Sequence, residues 1–198
     1  MDIKNVIFDC GQVLVRFEPD YIIGPSVTDP DDRELLVRVL FDHFYWKQLD
    51  KGTIDETDVI EETRNAIPPR LHDAAENAMI YWYRRLPEMP GMRELIDSLS
   101  ASGKTLCLLS NISRRFVAHA DEIPILSGIE NRVFSSTCGL TKPDSAIFRY
   151  TCERFGLVPE ETIFIDDNPD NITGAAGIGL QTYLFDGDTE KLARALGL

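Results

Sequence analysis

The chain has 198 residues, enough for one domain with a sizeable core or for one domain that carries an insertion. Its formal net charge of −13 repels nucleic acid and anionic membrane surfaces, so we expect neither as a partner. No apolar run reaches the roughly 20 residues of a membrane span. The four cysteines show no zinc-site spacing, which favours free thiols in a reducing compartment. With no signal peptide at the N-terminus, these features predict a cytoplasmic protein.

Five short apolar runs predict buried parallel strands. Three of them are rich in apolar and β-branched residues and end at a polar side chain: residues 3–8, 104–109 and 162–165. Two shorter runs lie at residues 133–135 and 181–185. Helical patterns lie between the runs, and this alternation is typical of a doubly wound α/β fold. We therefore expect a five-stranded, mostly parallel sheet with the first strand at its centre and helices on both faces.

Three helices of this sheet domain have start or stop signals in the sequence. Apolar residues at helical spacing over 92–99 are followed by Gly103. A second helix is predicted to start at Pro143 and to end before Gly156. A third is predicted after Asn168, which suits an N-cap.

The segment from residue 16 to residue 88 breaks the alternation. It has no strand pattern, and helices are predicted after Asp29, at about 55–66 and at about 71–86. We interpret it as a small helical cap inserted directly after the first strand. The chain would then divide into a core domain, residues 1–15 and 89–198, and a cap, residues 16–88.

Polar side chains follow the three strongest strands, at the edge where open α/β sheets bind ligands. They are Asp9, the pair Ser110 and Asn111, and the pair Asp166 and Asp167, with Lys142 ahead of a predicted helix. Any one of them alone would be explained by a turn or a cap, but the ordered set favours catalysis. Converging carboxylates repel one another unless a cation lies among them, and oxygen ligands suit Mg²⁺.

This set of side chains predicts phosphoryl transfer. Asp9 can attack phosphorus to give an aspartyl phosphate, which water then hydrolyses. Ser110, Asn111 and Lys142 can hold the phosphoryl oxygens as charge redistributes, and Lys142 also offsets the acidic crowding. We therefore expect a small-molecule phosphate ester as the partner.

Four segments, in their order along the chain, resemble the motifs of the haloacid dehalogenase superfamily. They are residues 6–14, 109–111, 142–143 and 164–167. The helical insertion also resembles the small cap of that superfamily, so the likeness extends over essentially the whole chain. Within the superfamily the chain looks most like the bacterial α-D-glucose-1-phosphate phosphatases, whose first motif typically has glycine where Gly11 stands. The resemblance implies a Mg²⁺-dependent phosphatase that acts on a small phosphate ester.

The resemblance also implies roles for individual residues. Asp9, the backbone carbonyl of Gly11 and Asp167 would ligate the metal. Asp166 and Asn171 would orient the ligands or their water from a second layer.

Gly11 departs from most of these phosphatases, which carry there an aspartate that protonates the leaving group. The general acid is therefore unassigned, and Gln12 or a metal-bound water is a candidate proton donor. An anomeric hydroxyl is more acidic than an ordinary alcohol, so a sugar 1-phosphate is consistent with the missing acid.

Substrate choice is expected to depend on the cap. An aromatic and charged stretch, Phe44-Tyr45-Trp46-Lys47 followed by Asp50-Lys51-Gly52, lies inside it. Tyr45, Trp46 and Lys47 can hold a sugar ring, although Phe44 and Trp46 could equally pack the core of the cap itself. The three histidines have no metal spacing, which favours surface or packing roles.

Two other functions compete with the phosphatase. An L-2-haloacid dehalogenase also uses an aspartate, a Ser-Asn motif and a lysine, but it needs no metal and lacks paired carboxylates such as Asp166 and Asp167. A catalytically weak phosphate-binding or regulatory protein would explain Gly11, although every other motif is present.

Overall fold

The computed structural model describes residues 3–24 and 27–198. Five strands form one sheet in which every neighbouring pair is parallel. In chain order they are β1 (Asn5–Phe8), β2 (Thr105–Ser110), β3 (Asn131–Phe134), β4 (Thr162–Asp166) and β5 (Gln181–Leu184). They lie in the order β3-β2-β1-β4-β5. The predicted five-stranded parallel α/β sheet, with its first strand at the centre, is confirmed.

The register of the central strands explains why polar residues meet at one edge. Phe8 lies opposite Leu108 of β2 and Ile165 of β4. The next residues, Asp9 and Asp166, are therefore level with each other at the carboxyl ends of β1 and β4. The end of β2 lies on the other side of Asp9.

The central strand is buried on both faces, which accounts for its continuous apolar sequence. Val6 and Phe8 belong to one hydrophobic cluster, and Ile7 belongs to a second cluster on the opposite face. A sheet with a core on each side requires helices on each side, as the doubly wound fold predicts.

The helical segment, residues 16–88, forms five α-helices and no β-strand among its described residues. They are α1 (Pro19–Ile23), α2 (Pro30–Leu40), α3 (His43–Lys51), α4 (Glu56–Thr63) and α5 (His72–Tyr81). A hydrophobic cluster of its own, which includes Leu40, Leu49 and Val59, packs these helices together. The sequence predicted α2, α4 and α5, whereas α1 and α3 were not predicted.

Six further α-helices surround the sheet. They are α6 (Met92–Ala101), α7 (Arg114–Ala118), α8 (Ser135–Cys138), α9 (Ser145–Phe155), α10 (Pro169–Ala176) and α11 (Thr189–Ala195). The prediction that a helix starts at Pro143 was wrong, because α9 begins at Ser145. The side chain of Asp144 accepts a hydrogen bond from the Ala146 N–H at 2.9 Å and so caps the helix one residue later than the proline. Lys142 consequently lies in the loop ahead of α9.

One buried carboxylate, Glu56, connects the helical segment to the sheet domain. Its Oε1 accepts hydrogen bonds from Trp82 Nε1 at 3.1 Å and from Ser113 Oγ at 2.5 Å. Its Oε2 lies 3.4 Å from Nε of Arg115. Ser113 and Arg115 belong to the chain that follows β2, so this contact fixes α4 over the carboxyl edge of the sheet.

The structure also bears on the cysteines and on the length of the apolar helices. All four cysteines are free thiols, and three of them are buried. Within residues 3–24 and 27–198, no helix combines the length and the apolar character that crossing a bilayer requires.

Candidate active site

A buried lysine lies between two carboxylates at the carboxyl edge of the sheet. Nζ of Lys142 is 2.7 Å from Oδ1 of Asp9 and 2.7 Å from Oδ2 of Asp166. Asp166 is fully buried, and Asn171 Nδ2 donates to both of its oxygens, at 3.1 and 3.0 Å. The Asn168 N–H donates to its Oδ1 at 2.8 Å. The protein therefore engages both oxygens of Asp166, which suits a residue that orients its neighbours.

Burial and charge act against each other in this cluster. Burial raises the pKa of Asp9 to about 7, and the charge of Lys142 opposes that rise. Burial acts to lower the pKa of Lys142, but the adjacent carboxylates outweigh it and hold the pKa above its ordinary value. The lysine is therefore charged at neutral pH, and a cation bound beside Asp9 would favour the ionised form of the Asp9 carboxyl.

Three carboxylates form a cluster that fits a hard metal ion. Oxygens of Asp9, Asp166 and Asp167 lie within 4.8 Å of one another. Asp167 follows β4 directly and is exposed over much of its surface, and partial burial of its carboxyl together with the charge of Asp166 raises its pKa. No backbone N–H of the described residues donates to the carbonyl of Gly11. Carboxylate and carbonyl oxygens are the ligands that Mg²⁺ prefers, so this donor set fits the expected metal.

Two residues at the end of β2 have different surroundings. Ser110 is buried, and its Oγ has one weak contact, 3.5 Å to the Asn111 carbonyl. The amide of Asn111 accepts from the Lys142 N–H at 2.8 Å and donates to the Lys142 carbonyl at 3.0 Å. Gly174 of α10 also borders this loop, since a Cβ there would lie 2.1 Å from the Pro143 carbonyl. The Asn111 side chain thus positions Lys142, and its predicted contact with phosphate stays a prediction.

A cavity of about 580 Å³ opens between the acidic cluster and the helical segment. Asp9 and Lys142 lie on its sheet side. On the opposite side α3 contributes His43, Trp46 and Asp50, whose spacing of three and then four residues places them on one helix face. The volume is in the range of small-molecule sites.

Of the three residues predicted to contact substrate, Trp46 lines this cavity. Its ring stacks on Phe41 at a centroid distance of 5.5 Å and meets Trp82 edge-on at 5.3 Å. Trp46 therefore packs in an aromatic cluster and also borders the cavity. Its buried Nε1 has no hydrogen-bond partner among the described residues. Tyr45 and Lys47 are not among the lining residues.

Asp50 is a candidate functional residue that had no individual role in the sequence-based predictions. It lies half-buried near the end of α3 and borders the same cavity as Asp9. Burial raises the pKa of Asp50 to about 7, and the charge of Lys142 opposes that rise. The one signal in the sequence was its place in the charged run that follows the aromatic residues.

A parallel sheet with acidic residues and a buried lysine at its carboxyl edge is typical of α/β enzymes, which bind their ligands at that edge. The model of the haloacid dehalogenase-like hydrolase family matches residues 3–179. The chain therefore belongs to this family of hydrolases.

Similar proteins include phosphatases and dehalogenases. Sesquiterpene phosphatase astK of Aspergillus oryzae is 25% identical over 179 residues, which cover 89% of this chain and 87% of that protein. Drimenol cyclase drtB of Aspergillus calidoustus is 26% identical over 194 residues, which cover 92% of this chain and 34% of the cyclase. This chain thus spans about a third of the cyclase.

Solved structures show the same fold. A HAD family enzyme from Bacteroides thetaiotaomicron, solved as a magnesium complex, has a TM-score of 0.72 and 23% identity over 98% of this chain and 100% of that chain. Dehalogenases are also among the similar structures. The narrower resemblance to α-D-glucose-1-phosphate phosphatases stays a prediction.

Proposed function

We propose that the chain is a Mg²⁺-dependent phosphatase that hydrolyses a small phosphorylated metabolite through an aspartyl phosphate on Asp9. The observation that carries the proposal is Lys142, held 2.7 Å from both Asp9 and Asp166 with Asp167 beside them. A phosphatase of this kind needs a nucleophile, a fixed positive charge and hard-oxygen metal ligands, and these groups lie together here. The likeness to a sesquiterpene phosphatase and to a magnesium complex supports the same function.

The reaction has two phosphoryl transfers. A carboxylate oxygen of Asp9 attacks phosphorus, and the bond from phosphorus to the alcohol oxygen breaks. Water then attacks the phosphorus of the aspartyl phosphate, which releases phosphate and restores the Asp9 carboxylate. Nζ of Lys142 and Oγ of Ser110 bind phosphoryl oxygens through both steps, and Asn111 holds the lysine in place.

The acidic residues divide between metal binding and support. Asp9, the Gly11 carbonyl and Asp167 would hold Mg²⁺, which neutralises charge on the phosphoryl group. Asp166 and Asn171 fix the direction of Lys142 through their mutual hydrogen bonds.

The helical segment is proposed to be the cap that encloses the substrate. It covers the cavity, and residues from α3 face the acidic cluster across it. A compact ester fits the space, and we take a sugar phosphate as the first candidate class. Aromatic side chains next to polar groups, such as Trp46 beside His43 and Asp50, suit a sugar ring.

An L-2-haloacid dehalogenase is the competing function, because dehalogenases share the fold. That chemistry uses an aspartate nucleophile without a metal, so it gives no reason for Asp167 to lie beside Asp9 and Asp166. The acidic cluster therefore favours the phosphatase.

One assay separates the two functions. Purified protein is incubated with p-nitrophenyl phosphate and, separately, with an L-2-chloro acid, with Mg²⁺ or with a chelator. We expect phosphate release that requires Mg²⁺ and no chloride release under either condition. Chloride release that persists with the chelator would establish the dehalogenase instead.

A further inference from the structure

Hydrolysis of an alkyl phosphate needs a proton donor that the groups around Asp9 do not supply. The oxygen that leaves phosphorus becomes an alkoxide unless a proton reaches it, and a positioned acid contributes about 10²–10⁴-fold to such a step. Gly11, two residues after Asp9, has no side chain. A Cβ built there would meet nothing within 4 Å, so the space is open to a donor from across the cavity.

Two candidate donors on the sheet side of the cavity, Lys142 and Gln12, are already engaged. Lys142 is paired with two carboxylates. The amide of Gln12 donates to the Phe17 carbonyl at 3.2 Å and accepts from the Phe17 N–H at 3.4 Å. Its backbone φ of 56° places Gln12 in a left-handed turn that this double contact closes. The face of α3 that borders the cavity is the opposite side, from which a donor can come.

Asp50 and His43 are the two titratable residues on that face. His43 is exposed at the first turn of α3, whereas Asp50 is half-buried at its last turn. Lys142 acts electrostatically on Asp50. Burial raises the pKa of Asp50 to about 7 against the opposing charge of Lys142, so a protonated carboxyl is available near neutral pH.

The backbone around Asp50 is anchored to the sheet domain. Its carbonyl accepts a hydrogen bond from Ser135 Oγ at 2.5 Å, and the same Oγ accepts from the Ile112 N–H at 2.9 Å. Two residues later, a Cβ on Gly52 would lie 2.8 Å from the Ser136 carbonyl, so the end of α3 rests directly on this domain. The position of Asp50 relative to the strand ends is thereby fixed.

The carboxyl group of Asp50 has no hydrogen-bond or ion-pair partner among the residues that the structure describes. Across residues 3–24 and 27–198, no group donates a hydrogen bond to it and no cation pairs with it within 4.0 Å. An acid that faces a cavity without an internal partner is available to a ligand.

We infer that Asp50 is the general acid and base of the reaction. It acts from the cap and takes the place of an acidic side chain at position 11. In the first step its proton moves to the alcohol oxygen as the bond to phosphorus breaks, and Asp50 becomes a carboxylate. In the second step that carboxylate takes a proton from the water that attacks the phosphoryl group on Asp9. Phosphate leaves, and both residues return to their starting states. This inference rests on the proposed function, since it uses the same transfer to Asp9.

The test compares two leaving groups in the Asp50→Asn variant. Values of kcat/KM are measured with two esters. The phenolate of p-nitrophenyl phosphate leaves without a proton, whereas the alkoxide of a hexose 6-phosphate needs a proton in order to leave. The ratio kcat/KM covers the steps up to departure of the alcohol, so slow hydrolysis of the aspartyl phosphate does not disturb it. Asp73→Asn, an exposed aspartate of α5, is the matched control.

We expect Asp50→Asn to lower kcat/KM by about 10²-fold on the hexose phosphate and by less than about threefold on the aryl phosphate. A burst of p-nitrophenol should also appear, because the second step has lost its base. Asp73→Asn should match the wild type on both esters. Asp50→Ser, which keeps a hydroxyl without an acid, should repeat the selective loss.

Three results would overturn the assignment. They are an equal loss on both esters, no loss on the hexose phosphate, or a selective loss that His43→Gln shows and Asp50→Asn does not. Thermal unfolding of each variant establishes that it is folded. A wild-type protein that is inactive on both esters contradicts the proposed function itself, which is a separate outcome from failure of the Asp50 assignment.

Discussion

Alanine substitution of Asp166 and Asp167, one at a time, separates stability from metal binding. Asp166 is fully buried and receives hydrogen bonds from Lys142, from Asn171 and from a backbone N–H. Removal of one partner from a buried ion pair costs about 3–5 kcal/mol. Because Lys142 keeps its contact with Asp9, we expect a cost for Asp166→Ala at the lower end, about 3 kcal/mol.

This loss of stability can be measured as a decrease in the melting temperature, Tm. In a chain of this size each kcal/mol shifts Tm by about 2–4 °C, so Asp166→Ala should lower Tm by about 6–12 °C without metal. Asp167 is exposed, and its removal should shift Tm by less than about 2 °C. In calorimetric titration with Mg²⁺ we expect the larger effect from Asp167→Ala and the smaller one from Asp166→Ala. Asp167→Ala should weaken binding by about tenfold or more, which is 1.4 kcal/mol of binding free energy.

The control for these variants is Asp170→Ala, which removes an exposed acidic side chain from the same edge. It should leave both Tm and Mg²⁺ affinity near the wild-type values. An unchanged Tm in Asp166→Ala, or wild-type Mg²⁺ affinity in Asp167→Ala, would refute the division of labour between the two aspartates.

Three other predictions use different measurements. Asp9→Asn should keep the wild-type circular dichroism spectrum and show no turnover, because an amide cannot form the acyl phosphate. The folded-state pKa of Asp50, about 7, lies above the roughly 3.9 of an unfolded aspartate, so protonation favours folding and this stability is lost as pH rises from about 4 to 7. The difference in Tm between Asp50→Asn and the wild type should therefore grow in favour of the variant by about 2–4 °C as the pH rises from 4 to 8, after allowance for partial exposure of the carboxyl. The wild type should turn over a hexose 1-phosphate at least as well as the 6-phosphate. Asp50→Asn should raise the ratio of kcat/KM on the 1-phosphate to kcat/KM on the 6-phosphate. Adding Gly11→Asp to that variant should return the ratio to its wild-type value.

The sheet and its acidic edge could be predicted because both depend on local sequence. An apolar run that ends in a polar residue marks the carboxyl end of a buried strand, and parallel strands bring such ends together. Asp9, Ser110 and Asp166 were therefore placed from the sequence at the edge where the structure has them. The prediction of where α9 begins was wrong because Asp144 competes with Pro143 as the start signal and provides a side-chain cap.

The cavity wall opposite this edge could not be predicted in the same way. Its residues come from α3, a helix of nine residues that was not predicted from its aromatic and charged sequence. Which face of α3 borders the cavity depends on contacts with the sheet domain, such as Ser135 with the Asp50 carbonyl. Phe44, for this reason, is exposed, while Trp46 packs inward.

The proposed function requires that Asp9 carries the phosphoryl group during turnover. The protein is mixed with p-nitrophenyl phosphate and Mg²⁺, quenched in acid during turnover, digested and analysed by mass spectrometry at low pH. We expect a phosphoryl group on the peptide that contains Asp9, with a larger amount in Asp50→Asn because hydrolysis of the intermediate is slower. Turnover at the full rate with no phosphoryl group on that peptide, in the wild type and in Asp50→Asn alike, would contradict the proposed function.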